Sequence, residues 1–154
     1  MREVRDTTRR GDLSEFEIIT ALMRAGRVVL RPLSAGLRYD LVLDNGDGTF
    51  ARVQCKTGAL RHGAIVFRVC ISDARRPRGV PYQGQIEAFA VYCPETSRAY
   101  LVPMAAVSGT KSTARLLVGA AKNGQAKRTR AAELYVIQPV TPRPPGQGGL
   151  VSDQ

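Results

Sequence analysis

Between residues 12 and 25 the apolar positions Leu13, Phe16, Ile19, Leu22 and Met23 recur three or four apart. That spacing predicts one amphipathic helix with these five side chains on its buried face. Asp12 is the predicted N-cap and Gly26 the stop. Beyond Gly26 the pattern changes. Short runs rich in β-branched and aromatic residues, separated by turn residues, predict strands over 27–30, 38–43, 50–56, 64–71, 87–93 and 99–102. Asp44-Asn45-Gly46-Asp47-Gly48 is a dense turn signal between the second and third strands, and Pro94-Glu95-Thr96-Ser97 separates the last two. The polar stretch 72–84 reads as a loop. Residues 104–132 show no clean period, and 133–138 predict a final strand. From Pro139 onward, four prolines and three glycines in sixteen residues predict a disordered tail. The order of elements predicts a single α/β (α+β) domain over residues 1–138, with a mixed β-sheet, followed by the tail 139–154.

A chain of 154 residues is long enough to bury a core without staples. No apolar run approaches the ~20 residues of a membrane span, and the N-terminus has no signal-like apolar stretch. The three cysteines, Cys55, Cys70 and Cys93, are isolated, and His62 is the sole histidine. This excludes a Cys/His zinc site of the usual kind and predicts reduced thiols in a cytoplasmic protein with no membrane partner. His62, in the apparent loop 60–63, has no evident chemistry. Charge changes the picture more. Lys and Arg number 23 against 13 Asp and Glu, a net +10. Half of that excess falls within residues 106–154. Such a chain attracts polyanions, nucleic acid foremost.

The chemistry is concentrated in Asp40 and the third strand. Side chains alternate faces along a strand, so Gln54 and Lys56 share one face and Val53 and Cys55 the other. Asp40, near the start of the neighbouring antiparallel strand, lies beside that pair. A carboxylate, an amide and an ammonium therefore converge at one end of a hairpin. Glu15 is a second carboxylate on the preceding helix, although Asp12-Leu13-Ser14-Glu15 also reads as a capping box with Glu15 at N3.

Asp40 followed by Gln54-x-Lys56 resembles the core of the PD-(D/E)xK nuclease superfamily, and Glu15 resembles the acidic helix residue many members carry. The chain is most similar to the group I intron-associated, homing-type branch. The likeness runs through Gly11 to Glu15, Arg38 to Leu41, Val53 to Gly58, Tyr82 to Tyr92, Leu101 to Pro103, Asn123 to Gln125 and Arg130-Ala131. It implies a restriction-endonuclease-like fold, a mixed sheet flanked by helices. It also implies a Mg²⁺-dependent endodeoxyribonuclease, with Mn²⁺ as an alternative ion. Asp40, Glu15, Gln54 and the main-chain carbonyl of Cys55 are then the candidate metal ligands, and Lys56 orients water or offsets phosphate charge. Gln54 stands where the wider superfamily has a second carboxylate, which lowers the charge available to a metal. Candidate DNA-binding residues are Arg75, Arg76, Arg78, Arg38, Tyr82 and Gln85. A Holliday-junction-resolvase-like nuclease shares the Gly/Glu helix and an Arg and Ser before the Asp, as in Arg31 and Ser34. A basic DNA-binding module that no longer cuts is the third reading. Double-stranded or branched DNA is the expected partner, and a homodimer or homotetramer the expected assembly.

Overall fold

The computed structural model describes residues 6–73, 75–110, 112–119 and 130–140, without the side chains of 72, 73 and 76–78. The expected tail from 141 onward, and the segment 123–125, lie outside the described residues. Helix α1 spans Asp6–Arg24. It is followed by β1 (Val28–Leu30), β2 (Leu41–Asp44), β3 (Phe50–Thr57), β4 (Ala59–Arg61), β5 (Ala64–Arg68), β6 (Cys70–Asp73) and β7 (Arg76–Pro81). Then come β8 (Ala88–Cys93), β9 (Arg98–Pro103), a single-turn helix α2 (Met104–Val107), β10 (Thr113–Leu117), β11 (Arg130–Ala131) and a 3₁₀ turn (Ala132–Tyr135). No described helix is long and apolar enough to cross a membrane.

The main sheet has the order β1-β2-β3-β8-β9. It is mixed: β3 pairs antiparallel with β2 but parallel with β8, and β8 pairs antiparallel with β9. A second sheet, β11-β10-β5-β4, and the hairpin β6-β7 complete the fold. Two buried clusters result. One joins Ile18 and Leu22 of α1 to Leu41, Leu43, Val53 and Ala90 of the main sheet. The other joins Phe89, Val91, Tyr100 and Val102 of that sheet to Ile65, Phe67, Tyr82 and Leu116. The mixed α+β architecture is the one expected.

Five local expectations are corrected. The helix begins at Asp6, six residues before Asp12, so Asp12 and Glu15 stand in its body and form no capping box. Its buried stripe is Ser14, Ile18 and Leu22, whereas Leu13, Phe16 and Met23 are 58–63% exposed. The phase is set by Ser14, whose hydroxyl bonds the Arg10 carbonyl and receives the Thr57 hydroxyl at 2.7 Å. A polar side chain thus occupies the buried face because both ends of its bonding are satisfied. The expected strand 64–71 is broken at Val69, whose amide turns to the Ser112 carbonyl. The expected loop 72–84 contains most of the β6-β7 hairpin, with a register shift between Ile71 and Asp73. Finally, 133–138 holds the end of the 3₁₀ turn and only an isolated bridge, Val136 to Tyr100.

Gly58 is where the chain leaves β3 for β4. Its amide donates to the Tyr92 carbonyl at 2.7 Å. A Cβ at this position would stand 2.7 Å from Ile65 Cγ2 and 3.0 Å from Val91 Cγ1. The backbone therefore approaches the second core more closely than any side chain allows. Gly58→Ala is expected to destabilise the protein by about 1–3 kcal/mol through overpacking. Urea unfolding measures this, and an unchanged midpoint would refute the close approach.

Candidate active site

Asp40 lies just before β2, where its amide bonds the Val53 carbonyl at 2.9 Å and continues the hairpin ladder by one residue. This local pairing aims its carboxylate across β3. Asp40 Oδ2 accepts the Gln54 side-chain amide at 2.5 Å and the Cys55 main-chain amide at 2.8 Å. Both bonds fall on one oxygen. Gln54 Nε2 also lies 3.4 Å from the Cys55 carbonyl. The glutamine therefore presents its nitrogen, rather than its oxygen, to the other candidate ligands.

Glu15 reaches the same place from α1. Residues Thr7, Thr8, Gly11, Asp12 and Glu15 of the helix face Asp40, Cys55, Lys56 and Thr57 across a cleft of about 300 Å³. Arg31 enters from the segment after β1 and donates to Glu15 Oε1 at 2.6 Å. Its guanidinium also lies 6.0 Å from the Phe16 ring centroid, within cation–π reach. Burial pushes the Glu15 carboxyl above its usual range. Arg31 opposes that shift, and the charges of Asp40 and Asp12 add to it. Burial likewise raises Asp40, against the lowering effects of the Cys55 amide, Lys56, Gln54 and Arg31. The Cys55 thiol is pushed far up by burial and by both carboxylates. It is a neutral packing group rather than a nucleophile.

Lys56 lines the same cleft from β3. Its ammonium donates to the Tyr82 hydroxyl at 3.0 Å and lies 4.9 Å from that ring's centroid. Tyr82 itself is only 3% exposed. In the structure its hydroxyl is engaged by Lys56. The turn that carries Tyr82 is fastened to β3 by Arg52. Arg52 holds the Glu87 carboxylate through Nε at 3.0 Å and Nη2 at 2.5 Å, and its main-chain amide reaches the same carboxylate at 2.6 Å. Sequence reasoning missed Arg52 and Glu87, and gave Arg31 only a marginal place. Their partners are 35 and 16 residues away, and no periodic signal marks them.

The four expected catalytic residues, Glu15, Asp40, Gln54 and Lys56, are brought together around the end of the β2-β3 hairpin. The expected DNA contacts are more dispersed. Arg75 is exposed at the β6-β7 turn, and Arg76 and Arg78 lie on β7. Arg38 is half-buried and makes none of the hydrogen bonds described above. Gln85 is half-buried, and its Oε1 lacks a hydrogen-bond partner. His62 adopts φ 48° in the β4-β5 turn, away from the cleft lining. All three cysteines are free, and no three His, Cys, Asp or Glu side chains gather as a metal cluster among the described residues. The oxygen donors among the expected ligands are two carboxylates, the Gln54 amide oxygen and the Cys55 carbonyl. Oxygen donors without sulfur or imidazole suit a hard divalent cation. Two partly desolvated carboxylates, one of them raised further by the charge of the other, are also a site that a cation relieves.

The sequence profile of the PD-(D/E)XK endonuclease family matches residues 5–138. Among solved structures, the bacterial homing endonuclease I-Ssp6803I is similar with a TM-score of 0.64 and 25% identity, covering 85% of this chain and 88% of that one. No curated protein matches significantly. The chain belongs to the PD-(D/E)XK endonuclease family and is a nuclease by that membership.

Both carboxyls hold protons more readily folded than unfolded. Stability of the metal-free protein therefore falls as pH rises from the ordinary carboxylate range through the raised values. Asp40→Asn keeps an oxygen for the Gln54 and Cys55 donors but removes the charge. In EDTA at neutral pH it is expected to unfold a few degrees above wild type, with the difference closing toward about pH 4. Thermal melts across pH check this; a variant less stable at neutral pH would show that the charge stabilises the fold.

Proposed function

We propose that this PD-(D/E)XK family member is a Mg²⁺-dependent DNA endonuclease of the homing type, with Mn²⁺ able to substitute. The observation that carries the reading is the convergence of Asp40, Glu15 and Lys56 on one cleft at the hairpin end. The likeness of 85% of the chain to a homing endonuclease supports the choice of branch. Asp40, Glu15 and the Cys55 carbonyl are the groups to hold the cation. Gln54 joins them once its terminal amide rotates to exchange nitrogen for oxygen, a soft sp³–sp² torsion. The bound cation would polarise the phosphate and lower the pKa of water. Lys56 presents positive charge to the phosphate as negative charge develops on its oxygens. Arg31, whose guanidinium balances Glu15 in the structure, is placed to release that carboxylate and turn to a phosphate instead. Exposed basic residues such as Arg75 add affinity without sequence information. A small domain reading a long duplex works best as a homodimer or homotetramer, and we extend the proposal to that assembly.

Plasmid and four-way-junction cleavage, with and without Mg²⁺ or Mn²⁺, tests the activity. Wild type is expected to nick or linearise plasmid only with the metal. Asp40→Asn is expected to lose at least about a hundredfold in rate while DNA affinity changes little, because affinity rests on the basic side chains. Junction cleavage in place of plasmid cleavage would favour the resolvase-like reading. DNA binding without any cleavage would identify a non-cutting module.

Gln54→Glu restores the second carboxylate and places its oxygen against Asp40 Oδ2. The expected result is a lower Mg²⁺ midpoint for cleavage together with a lower unfolding temperature in EDTA, since the two charges repel until a cation separates them. A titration that leaves the Mg²⁺ midpoint unchanged would mean that residue 54 does not face the metal.

A further inference from the structure

We infer that Tyr82 is a positioning residue for Lys56, holding the ammonium by its hydroxyl and its ring face so that it works on the phosphate as a fixed cation. The inference rests on the nuclease reading above and assigns a role within that same site. Lysine carries four rotatable carbons and a strongly hydrated head, so an unrestrained ammonium at a cleft mouth samples many positions. Here it does not stand alone. One of its three N–H donors is taken by the Tyr82 hydroxyl at 3.0 Å, and the charge lies 4.9 Å from the ring centroid. The Asp40 carboxylate supplies an opposite charge on the cleft side. Each of these contacts is one that a cation makes, and two donors are left for a phosphate oxygen or a water.

Tyr82 is itself fixed. It is 3% exposed and meets Phe89 edge-to-face, with ring centroids 5.5 Å apart and planes at 89°. Phe89 sits on β8 directly opposite Gln54 in the parallel ladder. The Gln85 amide bonds the Tyr82 carbonyl at 2.9 Å, closing the turn. The Arg52–Glu87 pair fastens the following residues to β3. The strand that bears Lys56 thus also fixes the group that holds it. A tyrosine used only for packing needs no hydroxyl under a lysine of the catalytic cleft. The hydroxyl is what separates this role from that of phenylalanine.

Three full-length variants test the inference, with single-turnover plasmid cleavage, DNA affinity without metal and unfolding temperature measured on each. Tyr82→Phe keeps the ring and removes the oxygen. Its cleavage rate is expected to fall about tenfold or more, the loss of one hydrogen bond to a charged group, with affinity and unfolding temperature near wild type. Leu116→Val thins the same buried core from β10, outside the cleft. It is expected to melt lower yet cleave at close to the wild-type rate at a temperature where it is folded. Lys56→Ala is expected to be inactive. A wild-type rate for Tyr82→Phe beside an inactive Lys56→Ala overturns the positioning role and leaves the nuclease reading standing. Parallel losses of rate and stability in Tyr82→Phe and Leu116→Val also overturn it, as plain packing. Full activity of Lys56→Ala brings down the site assignment itself, and this inference with it.

Discussion

The parallel pairing of β3 with β8 constrains everything around it. A strand bonded on one side antiparallel to β2 and on the other parallel to β8 has no free edge, and both its faces must find cover. On the Val53 and Cys55 side the cover is α1, which delivers Glu15. On the Lys56 side it is the turn before β8, which delivers Tyr82. The two carboxylates and the lysine therefore meet where the two cores part, at the end of a strand whose position the sheet already determines.

The electrostatics of that place run against stability. Burial raises the proton affinity of both Asp40 and Glu15, and the charge of Asp40 adds to the shift of Glu15. The structure tempers this with an arginine, an amide and a main-chain N–H rather than removing it. A fold under selection for stability alone would place apolar groups here. Retaining partly desolvated acids in an open cleft is what a cation site requires before its ion arrives. Arg31 and the Gln54 amide are the partners that balance the two carboxylates in the structure.

The β2-β3 hairpin, the alternation that sets Gln54 and Lys56 on one face, and the nearness of Asp40 were legible in the sequence because each depends on residues close in the chain. Glu15 was legible as a candidate but not as a helix-body residue, since nothing before Asp12 has an apolar rhythm. The helix phase was misread because Leu13, Phe16 and Met23 outweigh Ser14 in hydrophobicity, while the contact that buries Ser14 comes from Thr57, 43 residues on. The β6-β7 hairpin was hidden by arginines and prolines. Its pairing leans on Gly79, which at φ +73° lets its backbone approach Cys70 and Ile71. The engagement of Tyr82 by Lys56 was not legible, because the two lie 26 residues apart. Local pattern thus conveyed the chemistry of the site, and distant contacts supplied its geometry.

The same separation orders the events of folding. The β2-β3 hairpin closes across a turn of a few residues, so Asp40 and Gln54 can meet early. The β3-β8 ladder and the Arg52–Glu87 pair instead join positions 35 apart, with the β4-β5 and β6-β7 hairpins lying between. The entropy of closing that span is spent before its contacts repay it. The Asp40–Gln54 pair is therefore a local product of the chain, whereas the seating of Lys56 against Tyr82 waits for a longer closure. A nascent chain that stalls before β8 docks can join Asp40 to Gln54 but has not seated its lysine.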